Sequence, residues 1–334
     1  MEAFLNNSDR IELLRKMIRI RCFEEKSTEY KLNGKLVGMV HCSSGQEAVD
    51  VGVCSALEKS DYILGNHRPH GYMIAKGADI NLLMAEMFGK GIGTNGGKGG
   101  SMHLSDKSIG SLGSTGIVGS GLPVACGAAF ASKYKNDGRV TCVFFGDGAA
   151  NEGTFHECMN LASIWKLPMI FLLVNNCVAV TTVLEKVSVC LDLHKRAEPF
   201  GIEALQLDGQ DVELVFNSVK AAVDYMRKDG GAVLIEARTH RFNEHAEGQA
   251  YARMAATGYR DEQDLKLLKS TRDPIQLYSK QLVNAGVLND SDIERIYAEE
   301  NRNIEAAVQF AEESPLPDMA DAYSNIFANE KVEK

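Results

Sequence analysis

The stretch VTCVFFGDGAANEG (140–153), followed one helical interval later by MIFLLVNN (169–176), decides the fold. Val140–Phe145 and Met169–Val174 are continuous apolar runs of strand length, as expected of strands covered on both faces. Between them, Asn151–Leu167 carries apolar residues at helical spacing. Strand, helix and buried strand in that order make a parallel βαβ unit. The fold class expected is therefore α/β, a doubly wound and mostly parallel sheet.

Outward from this unit, Pro123–Lys133 (PVACGAAFASK) reads as a small-residue helix able to pack closely on a sheet. A helix near 211–228 and a strand at Ala232–Ala237 (AVLIEA) extend the alternation. Residues 9–33 read as an amphipathic helix with Ile11, Leu14, Ile18 and Cys22 in register behind an Asp9 cap. Gly89–Gly121 is crowded with glycine, serine and threonine, which points to a mobile or cofactor-facing loop. His240–Asp261 is polar, and helices fill the remainder. No linker or repeat divides the chain, so one domain is expected over 1–334: a helical arm (1–35), an α/β core (36–285) and a helical extension (286–334).

Composition narrows the function. The 334 residues are 45% hydrophobic and 24% charged, the profile of a soluble globular protein. A net charge of −9 argues against nucleic acid as a partner. No apolar run reaches membrane-spanning length, and the start lacks a signal-peptide core. The eight cysteines are scattered without a CxxC pair, which suits a reducing cytoplasm and buried thiols.

Ligands of open parallel sheets bind beyond the carboxyl ends of the strands. Asp147 leaves one strong strand and Asn176 leaves its neighbour, 29 residues further on. A carboxylate, an amide oxygen and a nearby backbone carbonyl are hard oxygen donors suited to Mg²⁺, with phosphate and water in the other positions. Gly146 and Gly148 let the backbone approach a phosphate, and a helix start near Asn151 offers it N–H groups. A nicotinamide-binding reading fails, because no GxGxxG opens a helix after an early strand.

GDG with NN one βαβ circuit later resembles the thiamine-diphosphate fingerprint. The likeness extends over almost the whole chain: RIRCFEEKSTEYKLNGKLVG (19–38), HCSSGQEAV (41–49), HRPHG (67–71), GKGGSMH (97–103), GIVGSGLPVACGAA (116–129) and WKLPMIF (165–171) all contribute. HAEGQAYAR (245–253), GYRDE (258–262) and DPI (273–275) continue it. These segments resemble alpha subunits of pyruvate, branched-chain and acetoin dehydrogenases, with EGQ nearer the acetoin branch.

The resemblance implies thiamine diphosphate and Mg²⁺ as cofactors. It implies Asp147, Asn176 and the carbonyl of Val178 as metal ligands, and Arg68 as the partner of the diphosphate. His67, Gly146, Gly148, Ala149 and His245 would also face the cofactor, with Gly116 and Val118 at its aminopyrimidine. His41, His103 and His245 would be the catalytic histidines, supplying protons near neutral pH. Either histidine of HRPHG has an alternative structural reading. Tyr259 and Arg260 would belong to a gating loop. A beta subunit would supply the pyrimidine-binding domain and its glutamate, giving an α₂β₂ enzyme that passes an acyl unit to a lipoyl acyltransferase. The substrate class implied is pyruvate, a branched 2-oxo acid or acetoin.

Several positions depart from the resembling family. His67 stands where tyrosine is usual, Val174 and Val178 replace polar residues around the NN pair, and Asn243 takes a common histidine position. Ala246 occupies the place of a regulatory serine, so phosphorylation there is excluded. The tract CVAVTTVLEK (177–186) is unusual and keeps a second reading open, a carboligase transferring the acyl unit to an aldehyde. A third reading is a subunit that mainly scaffolds its partner.

Overall fold

The computed structural model describes residues 5–248 and 258–324. Residues 249–253 of the HAEGQAYAR segment lie outside the described residues, as do the ends of the helical arm and extension.

The expected βαβ unit is present, as β3 (Thr141–Gly146), α6 (Gly153–Ile164) and β4 (Met169–Asn175). The two strands pair in parallel from Thr141↔Met169 to Gly146↔Val174, so the GDG and NN turns leave the sheet side by side. Around them stand β1 (Tyr62–Asn66), β2 (Ser111–Thr115), β7 (Glu203–Asp208) and β8 (Val233–Arg238). The sheet runs β2-β1-β3-β4-β8-β7, and every neighbouring pair is parallel.

Side-chain alternation divides the core into two layers. Cys142 and Phe144 of β3, with Ile170 and Leu172 of β4, face α1 (Asn7–Leu32), α2 (Glu47–Ala56) and α7 (Val212–Met226). Val143, Phe145, Phe171 and Leu173 face α5 (Gly121–Lys135) and α6. Helices on both faces make the sheet doubly wound, as expected. The long α10 (Asp290–Glu313) packs across α1 and α4 (Ile80–Met87), after α8 (Glu262–Thr271) and α9 (Pro274–Asn284).

Two helix starts differ from expectation. Asn6, not Asp9, caps α1; Asp9 closes the capping box from the third position. Residues 149–151 form a 3₁₀ turn, and α6 begins only at Gly153.

The glycine-rich segment is organised by one side chain. Glu86, fully buried near the end of α4, accepts N–H groups from Asn95 (2.8 Å) and Gly97 (2.9 Å) on Oε2, and from Gly99 (2.7 Å) and Gly100 (3.1 Å) on Oε1. Gly97 and Gly100 take φ of +76° and +56°, which side chains rarely adopt. Glycine density at 91–100 therefore reflects a turn wound round a carboxylate. Glu86→Gln turns an amide NH₂ toward two of these N–H donors. We expect a loss of about 3 kcal/mol, read as a lower urea midpoint with unchanged slope.

Candidate active site

A cavity of about 330 Å³ opens beyond the carboxyl ends of β1, β3 and β4. Asp147 and Asn176 both line it, as the strand order requires. Asn175 turns away instead: its amide donates to Glu236 Oε1 at 2.6 Å, and its Oδ1 accepts from Cys177 N at 3.0 Å. Asn176 donates to Gln46 Oε1 at 3.1 Å, and its Oδ1 accepts from Val178 N at 3.2 Å.

The unusual tract forms a small hairpin at the mouth, β5 (Val178–Ala179) and β6 (Thr182–Val183). Its turn holds Val180 at φ +57°, a strained conformation for a β-branched residue. Arg241 fixes it, donating to the carbonyls of Val180 (3.1 Å) and Val178 (3.5 Å). A Cβ at Gly148 would come within 2.8 Å of the Ala179 Cβ, so the second glycine of GDG is what lets the hairpin lie over the loop.

Charge in the cavity is incompletely compensated. Asp147 is 3% exposed and forms no ion pair among the described residues. Burial pushes its carboxyl up to about 6 against the opposing pull of local N–H groups and Arg241. Arg68 is buried, and among the described residues its guanidinium donates only to main-chain carbonyls, those of Cys42 and His245. Burial, and then Arg241, lower its guanidinium to about 10. Arg241 is also buried, and likewise lacks a carboxylate partner among the described residues. Two buried cations and one buried carboxylate, none in an ion pair among the described residues, leave an excess of positive charge that suits a bound anion.

Three imidazoles complete the wall. The rings of His41, His67 and His245 stand 4.6–5.1 Å apart between centroids. Burial first, then neighbouring His67 and Arg68, lower His41 to about 2. Burial and Arg68 lower His67 and His245 to about 3. His41 and His245, expected to supply protons near neutral pH, are thus held well below their ordinary value in the chain by itself. Burial and the neighbouring Arg68 guanidinium disfavour the imidazolium form of all three.

A family model described as the dehydrogenase E1 component matches residues 15–320. The chain belongs to the dehydrogenase E1 component family. It is 40% identical over 318 residues to the alpha subunit of acetoin:2,6-dichlorophenolindophenol oxidoreductase of Bacillus subtilis, covering 95% of this chain and 93% of that one. It is 37% identical over 324 residues to the pyruvate dehydrogenase E1 component subunit alpha of Zymomonas mobilis, covering 96% and 90%. An acetoin oxidoreductase alpha subunit of Cupriavidus necator is 37% identical over 325 residues, covering 97% and 96%. The chain is accordingly an E1 enzyme component.

Within this E1 chain, Gly116, Val118, Gly146, Ala149 and Val178 also line the cavity. His103 does not; it lies exposed at the rim, hydrogen-bonded to Ser114 O at 3.3 Å, with its ring against Gly116. Tyr259 and Arg260 sit behind the wall. Tyr259 donates to Glu244 (2.5 Å), and Arg260 to the Arg241 carbonyl (2.7 Å) and Glu244 (2.8 Å), so both brace the segment carrying Arg241 and His245.

Sequence reasoning missed three residues. Arg241 was read only as part of a polar segment. Glu24, fully buried on α1, accepts Ser43 N (2.7 Å) and Ser43 Oγ (3.0 Å) on one oxygen and bonds His70 Nδ1 (2.8 Å) with the other. His70 Nε2 continues to Ser101 Oγ at 2.9 Å. His70, open to either reading in the sequence, is thus a buried link, and Ser101 is its terminus. An acidic residue inside an amphipathic helix was the available signal.

Proposed function

We propose that this chain is the alpha subunit of a thiamine-diphosphate-dependent dehydrogenase, acting with a beta subunit in an α₂β₂ enzyme on pyruvate, a related 2-oxo acid or acetoin. The observation that carries the reading is the cavity with buried Arg68, Arg241 and Asp147 outside any ion pair among the described residues. A magnesium diphosphate supplies the two charges that this arrangement lacks. Asp147, the Asn176 amide oxygen and the Val178 carbonyl would hold Mg²⁺; Arg68, His67, His245 and the Gly146–Ala149 backbone would hold the diphosphate. Arg241, which donates to the Val178 carbonyl at 3.5 Å, would turn toward the phosphate to free that oxygen. Gly116 and Val118 would face the aminopyrimidine.

When bound, the cofactor supplies the carbanion chemistry that side chains lack. The chain's own task is to orient it, exclude water and place imidazoles where protons move. His41 and His245 do this from the wall and His103 from the rim, with Tyr259 and Arg260 gating by way of Arg241. The acyl unit would pass to a lipoyl group on a separate acyltransferase. The relatives are named acetoin oxidoreductase and pyruvate dehydrogenase alpha subunits, which supports this reading over the carboligase. Eight free thiols suit a cytoplasmic setting. Among the described residues no helix is long and apolar enough to cross a membrane.

The test is dye reduction by the chain co-purified with its beta partner, using thiamine diphosphate, Mg²⁺ and a panel of pyruvate, branched 2-oxo acids and acetoin. Turnover on one of them, and none by the isolated chain, is expected. Full turnover by the isolated chain, or acyl transfer to an aldehyde but never to a lipoyl domain, would sink the proposal.

A further inference from the structure

Three separate segments bring the wall imidazoles together: His41 precedes α2, His67 follows β1 and His245 follows β8. One ligating nitrogen of each lies within 4.8 Å of the other two. His41 is 2% exposed, and its Nδ1 has no hydrogen-bond partner among the described residues. All three side chains line the cavity, which gives an entry path.

We propose that the cofactor-free chain binds one d-block dication, with zinc the best match, on His41, His67 and His245, and that this ion and the cofactor diphosphate exclude each other. The second part rests on the function proposed above; the first does not. Imidazole nitrogen suits zinc, cobalt, nickel and copper, whereas magnesium takes oxygen donors, so this set is chemically distinct from Asp147 and Asn176. Three protein ligands with a fourth position open make an exchangeable site and not a closed structural one. A tetrahedral set with Zn–N near 2.0–2.1 Å puts the nitrogens roughly 3.3 Å apart. The rings therefore close by about 1.5 Å, within reach of rotation in the broad χ2 wells of histidine. Arg68 and Arg241 oppose a bare dication and select an anion, hydroxide or inorganic phosphate, for the fourth position. An ion bound to the nitrogens of His67 and His245 that would otherwise donate N–H to the diphosphate takes those two donors away.

The probe is Co²⁺, titrated into the chain co-expressed with its beta partner and stripped of cofactor and metal. One Co²⁺ per alpha chain is expected, with the visible bands of a tetrahedral nitrogen site and without a thiolate charge-transfer band. Excess Zn²⁺ should bleach them. His67→Tyr keeps a ring and removes the nitrogen; it should weaken Co²⁺ at least about tenfold, with His245→Gln as a second variant should the first misfold. Asp147→Asn should bind Co²⁺ like the wild type. Zn²⁺ at ten times its wild-type Kd should raise the cofactor Kd about elevenfold in the wild type and by no more than about twofold in His67→Tyr. Absence of stoichiometric Co²⁺, a thiolate band, binding indifferent to both histidine changes, or binding lost in Asp147→Asn would overturn the site. An unmoved cofactor Kd would overturn the exclusion. Failure of the thiamine diphosphate reading would show separately, as no Mg²⁺-dependent cofactor binding by stripped wild type.

Discussion

Asp147→Asn is expected to abolish turnover and Mg²⁺-dependent cofactor binding while making the metal-free chain more stable at neutral pH. The two effects share one cause. The Asp147 carboxyl moves from 3.8 to about 6 on folding, chiefly because burial penalises its charged form. An acid raised on folding binds more protons folded than unfolded between those values, so stability falls as pH rises through about 4 to 6. Two units correspond to about 3 kcal/mol at neutral pH, an upper bound that amide substitution removes. Metal binding needs the ionised form. Mg²⁺ affinity should therefore fall about tenfold per unit below pH 6, with proton release on binding. Loss of the carboxylate costs about 3–5 kcal/mol of cofactor–metal affinity, on the scale of removing one member of a buried charge pair. Calorimetry of Mg²⁺ and thiamine diphosphate reads the loss, and urea unfolding without metal reads the gain. Retained Mg²⁺-dependent binding in Asp147→Asn would remove this residue from the metal site.

Asp147 and Asn176 were legible because strand ends announce themselves locally: an apolar run stops and a turn motif follows. β1, β2 and β7 were not, since YILGN, SLGST and EALQLD are short and carry glycine or polar residues inside the sheet. Their strand character comes from pairing, which no local window contains. The α6 start was misplaced for the opposite reason, because helical spacing ran on through a 3₁₀ turn. Side chains acting across the fold were the least visible. Arg241 meets Val178 from 63 positions away, and Glu24 meets His70 from 46. His41, His67 and His245 meet in one wall while His103 stands at the rim, and burial beside Arg68 lowers the three wall imidazoles. Motif matching carries no information about Arg68 buried beside them.

Glu24→Ala should lower kcat by roughly 10–100-fold, the usual cost of removing a group that orients functional residues from behind. Its carboxylate and the His70 ring join three segments at Ser43, His70 and Ser101. Each anchor lies two positions from a residue facing the cavity or its rim: His41, Arg68 and His103. Burial opposes ionisation of the Glu24 carboxyl, but His70 and the Ser43 N–H outweigh it and hold the carboxyl below its ordinary value. Its contribution to stability is therefore present above about pH 4.5 and lost as pH falls further. Alanine leaves a buried ring without its partner, at about 3–5 kcal/mol. Glutamine separates positioning from bulk stability. Its amide oxygen can keep the Ser43 contacts, while its NH₂ faces Nδ1 and forces the His70 proton onto Nε2, toward Ser101. Glu24→Gln should thus stay folded near the wild-type midpoint yet show weaker cofactor binding and an altered pH profile of kcat. A merely structural Glu24 would shift only the unfolding midpoint, leaving kcat and cofactor Kd of the folded glutamine variant at wild-type values.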